Sequence, residues 1–350
     1  MSETKPEEIL IRREGRAGRI TLDRPKALNA LTYPQVTRIA AALAAWRTDP
    51  AVELIVLDAT GGKALCAGGD VRAMYDARVD GSGYARDFWR DEYILNATIA
   101  CYPKPYVALM DGIVMGGGIG LSGHASHRVV TERSMLAMPE TTIGLIPDVG
   151  GTWLLAHAPG ETGVYLGLIG ARMDAADAIY ARFADAMVPS DKLGELVARL
   201  VAPGPTAGEV IRALAVDPGP SRLAARRAEI DRLFAAPSVE EIRAALGRDD
   251  SDTARSDAAA LDVRSPKSLK LTLAAIRAAR NLPAIEAALR IEYRLTVRLY
   301  EDGEFIEGVR AQIVDKDKSP KWQPPHIEDV SADLIAAYLA PLPDGRDLGI

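Results

Sequence analysis

Three consecutive glycines, Gly116, Gly117 and Gly118, come soon after the apolar run at residues 106–110, and no other stretch restricts the fold as much. A glycine loses more conformational freedom on folding than any other residue, so a triplet weakens ordinary packing. The usual reason to accept that cost is a close approach of the backbone to a ligand. Bare N–H groups at such a turn, just ahead of a helix, form a ready site for negative charge, because the orphan donors and the helix dipole point the same way. Without a ligand, the same triplet is a tight strand-to-helix connection. Two carboxylates, Glu140 and Asp148, follow among apolar residues, each beside a proline, Pro139 or Pro147.

Around this segment the hydrophobic pattern is that of an α/β fold. Residues 9–13 and 18–22 alternate apolar and polar across a turn at 14–17, which predicts a hairpin. Val36, Ile39, Ala40, Leu43 and Trp46 recur at helical spacing and predict a helix over 33–47. Residues 54–58 form a short apolar run, expected as a strand buried on both faces. A turn at Gly61-Gly62-Lys63 leads into a strand at 64–66, and residues 67–70 open the next helix. An amphipathic helix carrying Glu92 is expected over 87–101, ended by Pro103 and Pro105. Strands at 106–110, 127–131 and 135–139 and a helix from Gly150 to His157 continue the alternation of a mostly parallel sheet. Beyond the breakers at 202–206 and 217–220 the pattern is helical, over 221–236, 239–246, 267–279 and 282–300. The chain therefore divides into a core at 1–200 that carries the site and a helical region at 201–350. Residues 301–322 are charged, with few helix signals at their end, and are expected as an ordered surface loop or lid edge.

Composition removes several function classes. With 48% hydrophobic and 26% charged residues, the 350-residue chain has the make-up of a soluble globular protein. A net charge of −6 and scattered Arg and Lys argue against nucleic-acid binding. No apolar run approaches the ~20 residues needed to span a bilayer, and residues 1–10 are polar and acid-rich, unlike a targeting segment. Cys66 and Cys101 cannot build a disulfide framework, which fits a reducing compartment and a cytoplasmic location. His124, His127, His157 and His326 show no metal-ligand spacing, so neither a metal nor a cofactor is expected.

Several motifs carry competing interpretations. Residues 118–123 match G-x-G-x-x-G, with Glu140 about 20 residues on, as in a dinucleotide fingerprint. The acidic residue of that fingerprint belongs at the end of the second strand of a βαβ unit. Here a strand at 127–131 arrives too soon, and Glu140 lies beyond it behind Pro139. A second glycine turn, Gly68-Gly69, also follows a strand and opens a helix. Taken alone it is structural; paired with the triplet it can lend one N–H to a shared oxygen, making an oxyanion hole for an ester or thioester carbonyl. Glu140 and Asp148, among Met138, Ile143, Leu145, Ile146 and Val149, are placed for raised pKa values and for work as base, acid or nucleophile. The alternative for Asp148 is a helix cap ahead of Gly150-Gly151. By spacing alone Glu92, beside Asp91, is a solvated charge. No G-x-S-x-G nucleophile elbow occurs, and His124 and His127 are expected to be structural.

At residues 23–32, 61–70, 104–122 and 138–155, in that order, the chain resembles the crotonase (enoyl-CoA hydratase/isomerase) superfamily. Further blocks at 88–96, 265–273, 292–295 and 307–322 resemble its thioester-hydrolase branch and extend the similarity almost end to end. The resemblance implies a crotonase-like spiral of ββα units with a helical C-terminal region, binding acyl-CoA. It implies that Gly69 and Gly117 are the oxyanion-hole donors, that Glu140 is the catalytic glutamate and Asp148 its acidic neighbour, and that Glu92 contacts substrate together with Gly117, Glu140 and Asp148. Lys26, Ala27 and Leu28 fall where members line the CoA channel. Hydratases carry a second catalytic glutamate where this chain has Gly120, so hydrolysis of a short 3-hydroxyacyl-CoA, in valine breakdown, is the implied activity. A hydratase or isomerase of the same superfamily and a non-catalytic CoA-binding protein are the alternatives. Members often associate through their C-terminal helices, so a homo-oligomer is compatible with the resemblance.

Overall fold

The N-terminal hairpin forms as expected: β1 (Ile9–Glu14) pairs antiparallel with β2 (Ala17–Leu22). The computed structural model describes residues 8–350; residues 1–7, within the acid-rich N-terminal stretch, lie outside it. After the hairpin, α1 (Tyr33–Trp46) starts at a capping box in which the Thr32 N–H donates to Gln35 Oε1 at 2.8 Å. The chain continues through β3 (Leu54–Ala59), β4 (Ala64–Cys66), α2 (Val71–Asp80), α3 (Tyr84–Ala100), β5 (Tyr106–Met110), β6 (Ile113–Met115) and α4 (Gly117–Ser122). Then come β7 (His127–Val130), β8 (Met135–Ala137), α5 (Gly151–Ala156) and, after two further helices, β9 (Ala186–Met187).

These strands sort into two sheets. The larger has six strands in the order β1-β2-β3-β5-β7-β9, parallel from β2 onward, and the smaller has three parallel strands in the order β4-β6-β8. The chain thus visits the large sheet, then the small sheet, then helical structure, three times over. This is a spiral of ββα turns. Strand β3 is apolar throughout because it is covered on both faces. Ile55 and Leu57 point to the main core, while Leu54 and Val56 point to a second cluster capped by the helices Leu193–Val201 and Ala207–Leu214.

The helical region holds Arg227–Phe234, Val239–Gly247, Asp252–Asp262, Pro266–Ala279 and Ile285–Glu301. Its residues share one apolar core with the spiral, running from Ile9 to Leu348. Three expectations need correction. The helix expected over 221–236 is split at Arg226. Strand β6 was not expected, being three residues long. Residues 301–322 do not begin as a loop: a helix (Glu304–Val309) leads into a π-helical turn (Arg310–Val314), because Phe305 and Val309 are apolar anchors buried in the core.

Helix α4 lies very close to β4. A Cβ on Gly118 would sit 2.3 Å from the Cys66 carbonyl oxygen, a backbone atom that has no room to retreat. Gly118→Ala is therefore expected to destabilise the fold by about 1–3 kcal/mol through overpacking. A lowered unfolding midpoint in urea checks this, and an unchanged midpoint would show that the helix can move away freely.

Candidate active site

Each strand of the small sheet ends in a turn that faces the same cavity. Gly68 and Gly69 follow β4, Gly116 and Gly117 follow β6, and Pro139 and Glu140 follow β8. The register Ala64↔Ile113↔Met135 sets the three strand ends side by side. The cavity they enclose holds about 520 Å³ and is lined also by Phe88, Trp89, Glu92, Asp148 and Phe305, with exposed Arg172 and Ile313 on its rim.

The two glycine turns meet closely. A Cβ on Gly117 would lie 3.3 Å from the Gly69 nitrogen and 2.7 Å from Glu92 Oε1, and one on Gly116 would lie 3.2 Å from Glu140 Oε1. Gly116 also has φ +47° with ψ −121°, a conformation that side chains resist. Leu31 braces the Gly68-Gly69 turn, its N–H donating to Gly68 O at 2.8 Å and its carbonyl accepting from Asp70 N at 2.9 Å. Neither bond uses the Gly69 N–H. Gly117 is the first residue of α4, so its N–H has no acceptor within the helix. Two turns with backbone donors thus lie side by side next to two carboxylates, the proximity that an oxyanion hole requires.

Glu92, Glu140 and Asp148 are all buried, at 2%, 5% and 5% exposure. Glu92 Oε1 and Glu140 Oε2 have no hydrogen-bond partner among the described residues. Unpartnered buried carboxylate oxygens aimed at a cavity point to a ligand that completes them. Burial raises the pKa of Glu92 well above normal, and the charge of Asp148 adds to it. Burial likewise raises that of Glu140, with further pressure from Asp148 and Glu292. Asp148 is pushed up only to about 6, because the Tyr93 hydroxyl donates to its Oδ2 at 2.7 Å and offsets part of the burial.

The turn that carries Asp148 is strained. Val149 has φ +55°, a left-handed conformation that a β-branched residue rarely adopts and that costs about 1–3 kcal/mol. Several contacts hold it. The His124 ring donates from Nε2 to Val149 O at 2.8 Å; since a carbonyl only accepts, this fixes the tautomer. Burial depresses the His124 pKa to about 4, so the ring is neutral. Glu292, fully buried, accepts from Gly150 N at 2.7 Å, Thr152 N at 2.9 Å and the Thr152 hydroxyl.

The structure brings Gly69, Gly117, Glu92, Glu140 and Asp148 into one cavity. The assignment of Glu92 to solvent by spacing is overturned: the residue sits on the buried stripe of α3 with Phe88, Trp89 and Asn96. Asp148 is not a helix cap, and its carboxylate takes the Tyr93 hydroxyl. Lys26, Ala27 and Leu28 lie outside the cavity lining, and the Leu28 carbonyl accepts from Ala67 N at 3.1 Å just ahead of the first glycine turn. Gly120 has no spare room. A Cβ there would come within 2.8 Å of both Asn96 Nδ2 and Val149 Cβ. Sequence reasoning missed Tyr93, Thr296 and Glu292. The signal for Glu292 was present, since a carboxylate falls on the apolar stripe formed by Ile285, Leu289, Thr296 and Leu299.

The profile described as enoyl-CoA hydratase/isomerase matches residues 17–339. The chain belongs to this family. Among family relatives, "3-hydroxyisobutyryl-CoA hydrolase, mitochondrial" of Xenopus tropicalis is 42% identical over 97% of this chain and 90% of its own length. The human protein of the same name is 40% identical over 93% and 87%. Two solved structures superpose with TM-scores of 0.93. One, named as an enoyl-CoA hydratase from Rhodobacter sphaeroides 2.4.1, is 46% identical and covers 98% of this chain and 100% of its own. The other, named as a carnitinyl-CoA dehydratase from Mycobacterium thermoresistibile, is 44% identical, with 98% of each chain covered. The fold is that of the crotonase superfamily.

The buried carboxylates make stability depend on pH in a definite direction. Their folded-state pKa values exceed the ordinary ones, so the folded protein binds more protons between the two values and loses stability as pH rises. For Asp148 that window runs from 3.8 to about 6, and for Glu292 from 4.5 to about 7. Glu140→Gln removes one such group. It is expected to raise the melting temperature at pH 8 and to do so less at pH 5, as read by thermal unfolding at the two pH values. An equal change at both would contradict the assigned pKa direction.

Proposed function

We propose that the protein hydrolyses a short 3-hydroxyacyl-CoA thioester, 3-hydroxyisobutyryl-CoA first and 3-hydroxypropionyl-CoA second, to the free hydroxy acid and CoA. The observation that carries this reading is the meeting of the Gly69 and Gly117 turns beside Glu140 and Glu92, each with one oxygen that lacks a partner among the described residues, next to a Gly120 whose Cβ would crowd Asn96 and Val149. The names of the relatives that share most of the chain's length agree with it. Valine breakdown is the corresponding metabolic setting. A cytoplasmic location belongs to the proposal as well, although the vertebrate relatives are named as mitochondrial.

In the proposed mechanism the thioester oxygen takes the Gly69 and Gly117 N–H groups, a contribution of about 3–4 kcal/mol per donor in comparable sites. Ionised Glu140 either takes a proton from water, whose oxygen attacks the carbonyl carbon, or attacks that carbon itself to give an anhydride that water then opens. Both routes place an oxyanion on the same two donors, and both break the C–S bond with the electron pair leaving on sulfur. Asp148 orients the water or the acyl hydroxyl and relays to the departing thiolate the proton that the water gives up. Glu92 hydrogen-bonds the 3-hydroxyl. A substrate without that hydroxyl leaves a buried polar group unpaired, which favours hydroxyacyl chains.

Hydration of an enoyl-CoA is the second reading, raised by the names of the two similar structures. It needs a second acid near the glycine triplet, and at Gly120 Asn96 and Val149 fill the space a glutamate would take. Thiol release from 3-hydroxyisobutyryl-CoA, 3-hydroxypropionyl-CoA and crotonyl-CoA separates the two readings. Release from the hydroxyacyl substrates is expected; water addition to crotonyl-CoA without thiol release would replace the proposal, a double-bond shift would indicate an isomerase, and tight CoA binding without turnover a binding protein. Glu140→Gln should lower the rate by about 10²–10⁴-fold with the fold retained, and a fully active variant would remove Glu140 from its role.

A further inference from the structure

Helix Ile285–Glu301, from the C-terminal region, reaches the Asp148 turn through two residues one helical turn apart. Glu292 takes the Gly150 and Thr152 N–H groups and the Thr152 hydroxyl. Thr296 stands 3.0 Å from the Tyr93 hydroxyl. Because the single Tyr93 proton goes to Asp148, Thr296 is the donor in that pair. One residue therefore grips the backbone on the far side of Val149, and the other orients the phenol that binds the Asp148 carboxylate. Neither lines the cavity.

We propose that Glu292 and Thr296 are positioning residues that hold Asp148 in its working place. The inference rests on the hydrolase reading of the site. Gly150 takes its φ of +79° freely, but Val149, at +55°, is β-branched and resists that region, so the turn does not keep this shape by local preference. Glu292 supplies acceptors on both of its oxygens, which fits two N–H groups and one hydroxyl. A glutamine keeps the shape but has one acceptor oxygen and a donating NH₂, so at least one of those donors would be left facing another donor. From the opposite side the turn is held by the His124 ring, which leaves Glu292 as the grip on the Gly150 side. The C-terminal region then acts on the site through the shape of one turn, with no contact to substrate.

Steady-state thiol release from 3-hydroxyisobutyryl-CoA by wild type, Glu292→Gln and Thr296→Val tests this, alongside melting temperatures and amide exchange of the peptide spanning residues 148–152. Glu292→Gln should lower kcat on the order of 10²-fold, as a misplacement of about 1 Å does, with a much smaller change in KM because the CoA and acyl contacts other than Asp148 are kept. Thr296→Val should lower kcat by up to about tenfold, the worth of one hydrogen bond. Exchange at 148–152 should speed up in Glu292→Gln while other segments keep wild-type protection. Wild-type kcat in Glu292→Gln, or a loss that appears in KM and in exchange across the whole molecule, would overturn the proposal. Should Glu292→Gln fail to fold, Thr296→Val decides by the same split between kcat and KM. A wild-type protein that releases no thiol would overturn the hydrolase reading instead, and the exchange pattern would still judge the positioning role.

Discussion

The pairing of three short parallel strands is the constraint on which the site depends. Strands β4, β6 and β8 have only three residues each, yet their register places the ends of three separate ββα turns side by side. Neighbouring strands lie about 4.8 Å apart, so the turn after each strand is forced into contact with the turn after its neighbour. That is why Gly69, Gly117 and Glu140 meet although up to 71 residues separate them in sequence. It also explains the glycines. At this spacing a side chain on Gly117 would fill the space beside the Gly69 nitrogen and Glu92. A slip of one residue in a strand would turn its side chains to the opposite face and separate the donors from the carboxylates.

The second constraint is electrostatic. Glu92, Glu140, Asp148 and Glu292 are buried near one another, and each bears a raised pKa. Such a group of like charges opposes folding at neutral pH, and it persists because the surroundings differ for each member. Asp148 has a phenol donor and Glu292 has two N–H groups and a hydroxyl, whereas Glu92 and Glu140 keep one oxygen each without a partner. The donors go to Glu292 outside the cavity and to Asp148 at its edge, while the two glutamates that line the cavity each keep an oxygen without a partner among the described residues. Stability and reactivity are thus divided among four carboxylates of similar intrinsic chemistry.

Much of this was legible in the sequence where the signal was local. The buried strands β3 and β5, the hairpin and α1 announced themselves by unbroken apolar runs, alternation or helical spacing. Strand β6 did not, because Ile113-Val114-Met115 is too short to show a period and comes after Asp111-Gly112, which looks like a turn. Glu92 shows the limit of spacing in the other direction: beside Asp91 it passes for a surface charge, and only its place on the apolar stripe of α3 marks it as buried. Glu292 lay in the same position on a later helix and was passed over, since nothing in sequence ties residue 292 to residues 150 and 152. The left-handed Val149 was equally silent. A valine gives no local hint of positive φ, which is imposed from outside by His124 and Glu292.

The chemistry asked of the site explains why one carboxylate can serve as the main proton acceptor. A thiol has a pKa of about 8.5, so a thiolate leaves readily once the tetrahedral oxyanion is stabilised, and two well-placed N–H groups meet the chief demand. Adding water across a carbon–carbon double bond is different, because a proton must also be delivered to carbon by a second, separately placed acid. At Gly120 that acid is absent, and the space is not empty: Asn96 from α3 and Val149 from the Asp148 turn close it. The same Val149 whose strained backbone adjoins Asp148 also excludes a side chain at 120. On the proposed hydrolase reading, the place of Asp148 and the crowding at position 120 are then two consequences of one turn, which links the geometry of the Asp148 segment to the choice of reaction.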